Sequence, residues 1–336
     1  MSVLGDSIVP VELQRVNASL QLSEHARSLL RCPACLGTLH FDGDTIECAA
    51  AECGRVYPLV DGIPVLINEC TSVFAYDGLL ESRPRFFKPV GKLRGWLTRL
   101  LPTLDNNIAA RRNFARFRAE LKARRAKSRV LVIGGGVLGY GMECLLDDPA
   151  IELIETDVAP GQRPQLICDA HDLPFADGSI DAVIAQAVLE HVLDPQAVVE
   201  EIFRVLGDQG MVYADTPFIS QVHGREFDFT RFTYLGHRRL FRKFGLIDGG
   251  MTGGPGVALA WTLRYFVLSF FESAALRAVA SGLSRCAFFW LKYCDYYLIQ
   301  RAGAKDAASA FYFMGQKQAQ VLDDRELVAS YEGGFR

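Results

Sequence analysis

Arg129-Val-Leu-Val-Ile-Gly134-Gly-Gly136-Val-Leu-Gly139 is the stretch that decides the fold. Its β-branched run reads as a buried parallel strand. The strand runs into G-x-G-x-x-G, and a helix is expected to begin near Tyr140. Glycines there let the backbone turn sharply and let a ligand approach the helix N-terminus. Downstream, Ile151–Asp157 reads as a second strand, ending in a carboxylate 18 residues beyond Gly139. An acid at that point can accept both hydroxyls of a ribose. A third strand ends at Asp169, and a fourth, Ser179–Ala185, runs into Gln186-Ala-Val-Leu-Glu-His191. Pro195 opens a helix through Leu206, and Gly210–Asp215 reads as a fifth strand. Phe244–Gly249 is the expected sixth and Ala308–Lys317 the seventh.

The glycine motif alone is shared by NAD, FAD and S-adenosylmethionine enzymes. The stretch DAHDLPFADGSIDAVIAQAVLEHVLDP, residues 169–195, narrows the choice. With the strand order of residues 128–250, it resembles the class I S-adenosylmethionine-dependent methyltransferases. The resemblance implies an α/β, Rossmann-like seven-stranded sheet whose last strand is antiparallel. It also implies S-adenosyl-L-methionine as cofactor. Gly134 and Gly136 would border its methionine part, with Gly139 closing the motif. Asp157 would hold the ribose, Asp169 and Ala170 would flank the adenine, and Gln186 would lie beside the cofactor. The chain departs from the family pattern at two points. Val132 stands where an acid is common, and Leu138 where the third glycine is common.

Nearer the N-terminus, Cys32-Pro-Ala-Cys35 and Cys48-x4-Cys53 are separated by twelve residues. Two such knuckles facing each other supply the S4 tetrahedron that zinc prefers. Between them, Leu39 to Cys48 reads as a hairpin turning at Asp42-Gly43-Asp44. A ribbon this small depends on its metal for folding energy. With the following Gly54–Ile67, it resembles the small zinc-ribbon proteins that activate tRNA and protein methyltransferases in trans. The expected organisation is a tail (1–27), a zinc ribbon (28–70), a basic helical linker (71–127) and a methyltransferase domain (128–336). Loss of the zinc is expected to leave cofactor binding by the second domain intact.

In an open parallel sheet the ligand lies at the carboxyl ends of the strands, so the loop after strand five should cover the reactive methyl. That loop, Thr216 to Tyr234, is dense in titratable and aromatic residues. His223 and Asp228 are its candidate catalytic bases, whereas His191 reads as structural. About sixty residues intervene between strands six and seven. The insertion, 255–304, reads as two helices rich in aromatic and basic residues. They suit a lid, a dimer surface or an interfacial membrane anchor.

The 336 residues carry a net charge of −3, yet residues 83–129 hold fifteen Lys/Arg against Asp105 and Glu120. A block of that kind suits an anionic partner. Nine cysteines without an export signal suit reduced thiols, hence a cytoplasmic protein at the inner face of the membrane. Three functions follow as expectations. One is methyl transfer to a small or glycan/lipid-linked acceptor, with peripheral membrane association. The second is RNA methylation, in which Arg111, Arg112, Arg116, Arg118, Arg124 and Arg125 would contact phosphates. The third is a scaffold with a degenerate methyltransferase domain, resting on Val132 and Leu138.

Overall fold

A computed structural model describes residues 22–76 and 100–334, apart from positions 44, 61 and 162. Much of the expected tail and the 77–99 stretch of the basic linker lie outside the described residues.

The ribbon is an antiparallel meander of β1 (Leu39–Asp42), β2 (Thr45–Cys48), β3 (Val56–Val60) and β4 (Ile63–Leu66). A one-turn helix, α1 (Glu24–Ser28), precedes it, with Ser23 capping through the amide of Ala26. The parallel strands follow as β5 (Ser128–Ile133), β6 (Ile151–Asp157), β7 (Leu166–Cys168), β8 (Ile180–Gln186) and β9 (Leu206–Pro217). Then come β10 (Phe244–Gly253) and β11 (Ala310–Lys317), which is antiparallel to both its neighbours.

The seven-stranded sheet expected from sequence proves to be part of a larger one. Among the described residues there are eleven strands, in the order β1-β2-β3-β4-β7-β6-β5-β8-β9-β11-β10. The join is β4 against β7, parallel, with Val65 opposite Ile167 and Leu66 opposite Cys168. A strand edge must be paired or covered. Here the ribbon covers the edge of β7.

Alternation along the strands feeds two cores. Val130, Val132, Ala182, Ile184, Met211 and Tyr213 point to one face. There they meet Phe114, Phe117 and Leu121 of α2 (Ala110–Arg124), whose i, i+3, i+7 spacing makes one apolar stripe. Leu131, Ile133, Val183, Ala185, Val212 and Ala214 point to the other. That second core includes α4 (Pro195–Val205), begun by a Pro at its first turn and capped by Asp194, and also Leu30, Cys32, Ile46 and Tyr57 of the ribbon. The ribbon therefore shares a hydrophobic core with the larger domain as well as a sheet.

The helix expected from Tyr140 is a single turn, α3 (Glu143–Leu146). Gly141, at φ +90°, breaks the chain there, and its Cα lies so close to α2 that a Cβ would sit 2.8 Å from Ala110. After α5 (Tyr234–Leu240), the insertion forms three helices where two were expected: α6 (Pro255–Leu268), α7 (Ala274–Phe288) and α8 (Leu291–Leu298). Asp295 of α8 is buried and accepts the amides of Gly256 and Val257 at 2.7 and 2.9 Å, capping α6 from outside its own helix. Trp261 donates to Asp105, Arg285 to the carbonyls of Leu101 and Pro102, and Lys292 to that of Thr103. Segment 101–105 thus ties the insertion to the main chain.

Candidate functional site

The four expected metal ligands converge. Sγ of Cys32 lies 3.7 Å from that of Cys53, Cys35 lies 3.5 Å from Cys48, and all four atoms fall within 4.8 Å of one another. A zinc tetrahedron with bonds of about 2.3 Å has edges of roughly 3.8 Å, so the donor set fits that metal. Leu36 and Gly54 turn the two knuckles in left-handed conformations. The ribbon's trailing segment reaches the domain beyond: Ser72 donates to Asp169 at 2.6 Å, and Thr71 and Asn68 donate to Asp172.

At the carboxyl ends of β5, β6 and β8, the chain forms a cradle where the strand order reverses. Gly134 adopts φ +71°, and a Cβ there would meet Val188 at 2.5 Å. The amide of Gly136 donates to Asp157 Oδ2 at 2.9 Å, while that of Ala159 donates to Oδ1 at 3.0 Å. Each oxygen keeps a lone pair for a diol. Burial pushes the Asp157 carboxyl up, against the pull of those amides. A Cβ on Gly139 would sit 2.0 Å from Gln186 Oε1. That oxygen is buried and accepts no hydrogen bond, although Gln186 Nε2 donates to the Tyr140 carbonyl. A cleft that excludes a Cβ, an acid with spare lone pairs and an orphaned amide oxygen suit a ribose and an ammonium group. Asp169 ends β7 with Oδ1 toward His171 and Oδ2 toward Ser72. Burial would raise its pKa, but the His171 contacts outweigh that and hold it low. Ala170 is buried beside it.

Asp215 at the end of β9 accepts from Thr252 at 2.9 Å and from Asn107 at 3.4 Å. Burial pushes its pKa up to about 7, with the charge of Glu190 adding to the effect. The folded protein therefore holds a proton that the unfolded chain releases above about pH 4. The stabilisation is full below that pH and is lost as pH rises through 7. Asp215→Asn, which mimics the protonated form, should gain on wild type in Tm between pH 5 and pH 8. Parallel Tm profiles for the two proteins would contradict this.

The loop after β9 is anchored by Asp228. Its carboxylate accepts the amides of His223 (2.6 Å) and Gly224 (3.0 Å) and a two-pronged contact from Arg231. These contacts overcome the effect of burial and hold the acid well below the usual carboxylate range. So held, Asp228 shapes the loop. His223 lies with Nε2 3.6 Å from Glu190 Oε1, and His191 Nε2 is 3.8 Å from the same oxygen. From sequence, Glu190 and His191 read as a structural pair at the start of the loop after the fourth strand. The signal available was Leu189-Glu190-His191 directly after the fourth strand, but its partner His223 is more than thirty residues away.

The six arginines expected to meet phosphates are engaged within the chain. Arg116 pairs with Asp248, Arg118 with Asp148, Arg124 with Glu120 and Arg125 with Asp181. Arg111 stacks over Tyr140, and Arg112 reaches Asn113 and Tyr312. In contrast, the insertion exposes Phe266, Phe270, Trp290, Tyr293, Tyr296 and Tyr297, each more than half accessible. Among the described residues no helix is long and apolar enough to cross a membrane.

Residues 136–214 match the family described as a methyltransferase domain. A malonyl-[acyl-carrier protein] O-methyltransferase of Laribacter hongkongensis is 29% identical over 151 residues, 38% of this chain and 50% of that protein. The chain thus spans half the length of that relative. A UPF0434 protein of Hamiltonella defensa is 37% identical over 47 residues, 14% of this chain and 80% of that protein. Among solved structures, the complex of the Haloferax volcanii Trm112 methyltransferase activator with a methyltransferase matches at 19% identity. It covers 63% of this chain and 93% of that one, with a TM-score of 0.38. The N-terminal ribbon belongs to the UPF0434 family, and over residues 136–214 the chain carries a methyltransferase domain that resembles the class I S-adenosylmethionine-dependent methyltransferases.

Proposed function

We propose that the chain binds zinc in its ribbon and transfers the methyl group of S-adenosylmethionine to a small or glycan/lipid-linked acceptor. The observation that carries this reading is the cradle of Gly134, Gly136, Gly139, Asp157 and Gln186. When bound, the sulfonium supplies an activated methyl group, so much of the catalysis lies in positioning. Asp157 would hold the ribose, Asp169 and Ala170 the adenine side, and Gln186 the methionine end. The acceptor would enter beneath the loop that carries His223. The Laribacter relative is named as an O-methyltransferase, which supports an oxygen acceptor.

Two observations favour a membrane-proximal acceptor over RNA. Arg116, Arg118 and Arg125 are paired with acids of the same chain, which lowers the positive charge that this surface offers to phosphates. The insertion exposes aromatic side chains of the type that lie in a lipid interface. Methyl transfer from labelled cofactor into cell extract, fractionated into RNA, lipid and protein, tests the choice. Label is expected in the lipid or small-molecule fractions. Label confined to RNA would overturn the acceptor class, and no label anywhere would favour the scaffold. Sedimentation with anionic liposomes should carry wild type into the pellet and leave a chain lacking 255–304 in the supernatant.

A further inference from the structure

Glu190 is fully buried, and neither of its carboxylate oxygens accepts a hydrogen bond. A buried carboxyl group with no hydrogen-bond partner is costly in general, so the groups that face it call for an account. What does face it is a pair of imidazoles, each oriented from behind. His191 Nδ1 lies 2.6 Å from the Phe227 carbonyl, and His223 Nδ1 lies 3.2 Å from that of Gln221. A carbonyl only accepts, so His191 Nδ1 carries hydrogen and its Nε2 presents a lone pair in the neutral tautomer. His223 Nδ1 also has Arg231 Nη2, which only donates, and Asp228 Oδ2 at 3.5 Å, but the Gln221 carbonyl is its nearest neighbour, and with hydrogen directed there its Nε2 presents a lone pair as well. Both Nε2 atoms lie within 4 Å of Glu190 Oε1, and the three residues each offer a ligand atom within 4.8 Å of the other two.

Three acceptors directed at one point repel unless a proton or a metal cation lies between them. We infer that Glu190, His191 and His223 form a second metal site, distinct from the ribbon, that binds a borderline divalent cation such as zinc, cobalt or nickel. The carboxylate–imidazole separations of 3.6 and 3.8 Å are a few tenths longer than the edges of about 3.3 Å expected for ligand bonds near 2.05 Å. The Nδ1-to-carbonyl bonds are the supports that metal-binding histidines generally have. Two imidazoles and one carboxylate are a donor set that borderline cations accept, and they leave coordination positions open.

The site's walls are built for this arrangement. A Cβ on Gly224 would lie 2.4 Å from His191 Nδ1, so only glycine lets the ring stand there. Asp228 fixes the backbone at His223 and Gly224. In this arrangement His223 acts as a ligand, and the base assigned to it from sequence is replaced by an oxygen-binding cation at the acceptor side.

The test is calorimetric titration of the full chain, already carrying its ribbon zinc, with zinc or cobalt. Metal analysis is run before and after each titration. Wild type should take up a second equivalent. Glu190→Gln and, separately, the more accessible His191→Ala should lose that equivalent and keep the first. S-adenosylhomocysteine binding, measured on the same preparations, shows that the variants are folded and separates failure here from failure of the methyltransferase reading. If wild type binds only the ribbon equivalent, a proton shared among the three groups accounts for the geometry and the inference is wrong. A second equivalent that survives both substitutions would also overturn it.

Discussion

Asp157→Ala is expected to weaken binding of S-adenosylhomocysteine by more than tenfold. The carboxylate is the one acid at the end of β6, and it lies within the cradle. Its oxygens each accept one backbone amide, from Gly136 and Ala159, which fixes the remaining lone pairs in direction. Removing it costs the ligand two charge-assisted hydrogen bonds, at about 1.5–3 kcal/mol each in general. It also releases the glycine loop from its own anchor. Asp157→Asn separates these effects, since the amide oxygen can still accept from one backbone donor. Its loss of affinity should be smaller. Equal affinity for wild type and Asp157→Ala would place the nucleoside elsewhere.

The second large effect is expected from the ribbon. Cys32→Ser with Cys35→Ser removes half of the thiolate set, and a ribbon with so little core of its own loses its fold with the metal. The original expectation from sequence was that cofactor binding would be spared. The structure argues otherwise, because β4 closes the edge of β7 and Leu30, Ile46 and Tyr57 sit in the same core as Phe175 and Leu189. Ser72 and Thr71, which hold Asp169 and Asp172, hang from the end of that strand. The double variant should therefore lose about 2–4 kcal/mol, seen as a Tm lower by roughly 5–15 °C at 2–4 °C per kcal/mol. Affinity for S-adenosylhomocysteine should fall several-fold alongside it. Unchanged Tm and affinity in the zinc-free variant would show that the seam is a passive contact.

Sequence was most informative where chemistry is local. Val130–Ile133 and Ile180–Ala185 are runs of buried residues, as a strand inside a parallel sheet requires. The cysteine spacing prescribes the hairpin from Leu39 to Cys48. The same approach was weak where distance or uniformity removes the signal. Pairing of Val65 with Ile167 leaves no trace near either residue, so the merged sheet was not visible. In the insertion, the break between Leu268 and Ala274 falls around Phe270-Phe271, which carry no helix-stop signal. The described part of the basic block, from Arg111 to Arg129, looked like a free surface because its counterions, Asp148, Asp181 and Asp248, come from other elements. Of the site, the cradle was legible from its glycines and acids. The Glu190–His191–His223 group was not, since its parts lie on two loops that only the sheet brings together.

The most direct test of the central claim is calorimetric titration of the purified chain with S-adenosylhomocysteine and, in parallel, with NADH. One equivalent of the sulfur nucleoside should bind, with no heat from the nicotinamide and with affinity lost in Asp157→Ala. Tight binding of NADH with none of S-adenosylhomocysteine would contradict the account.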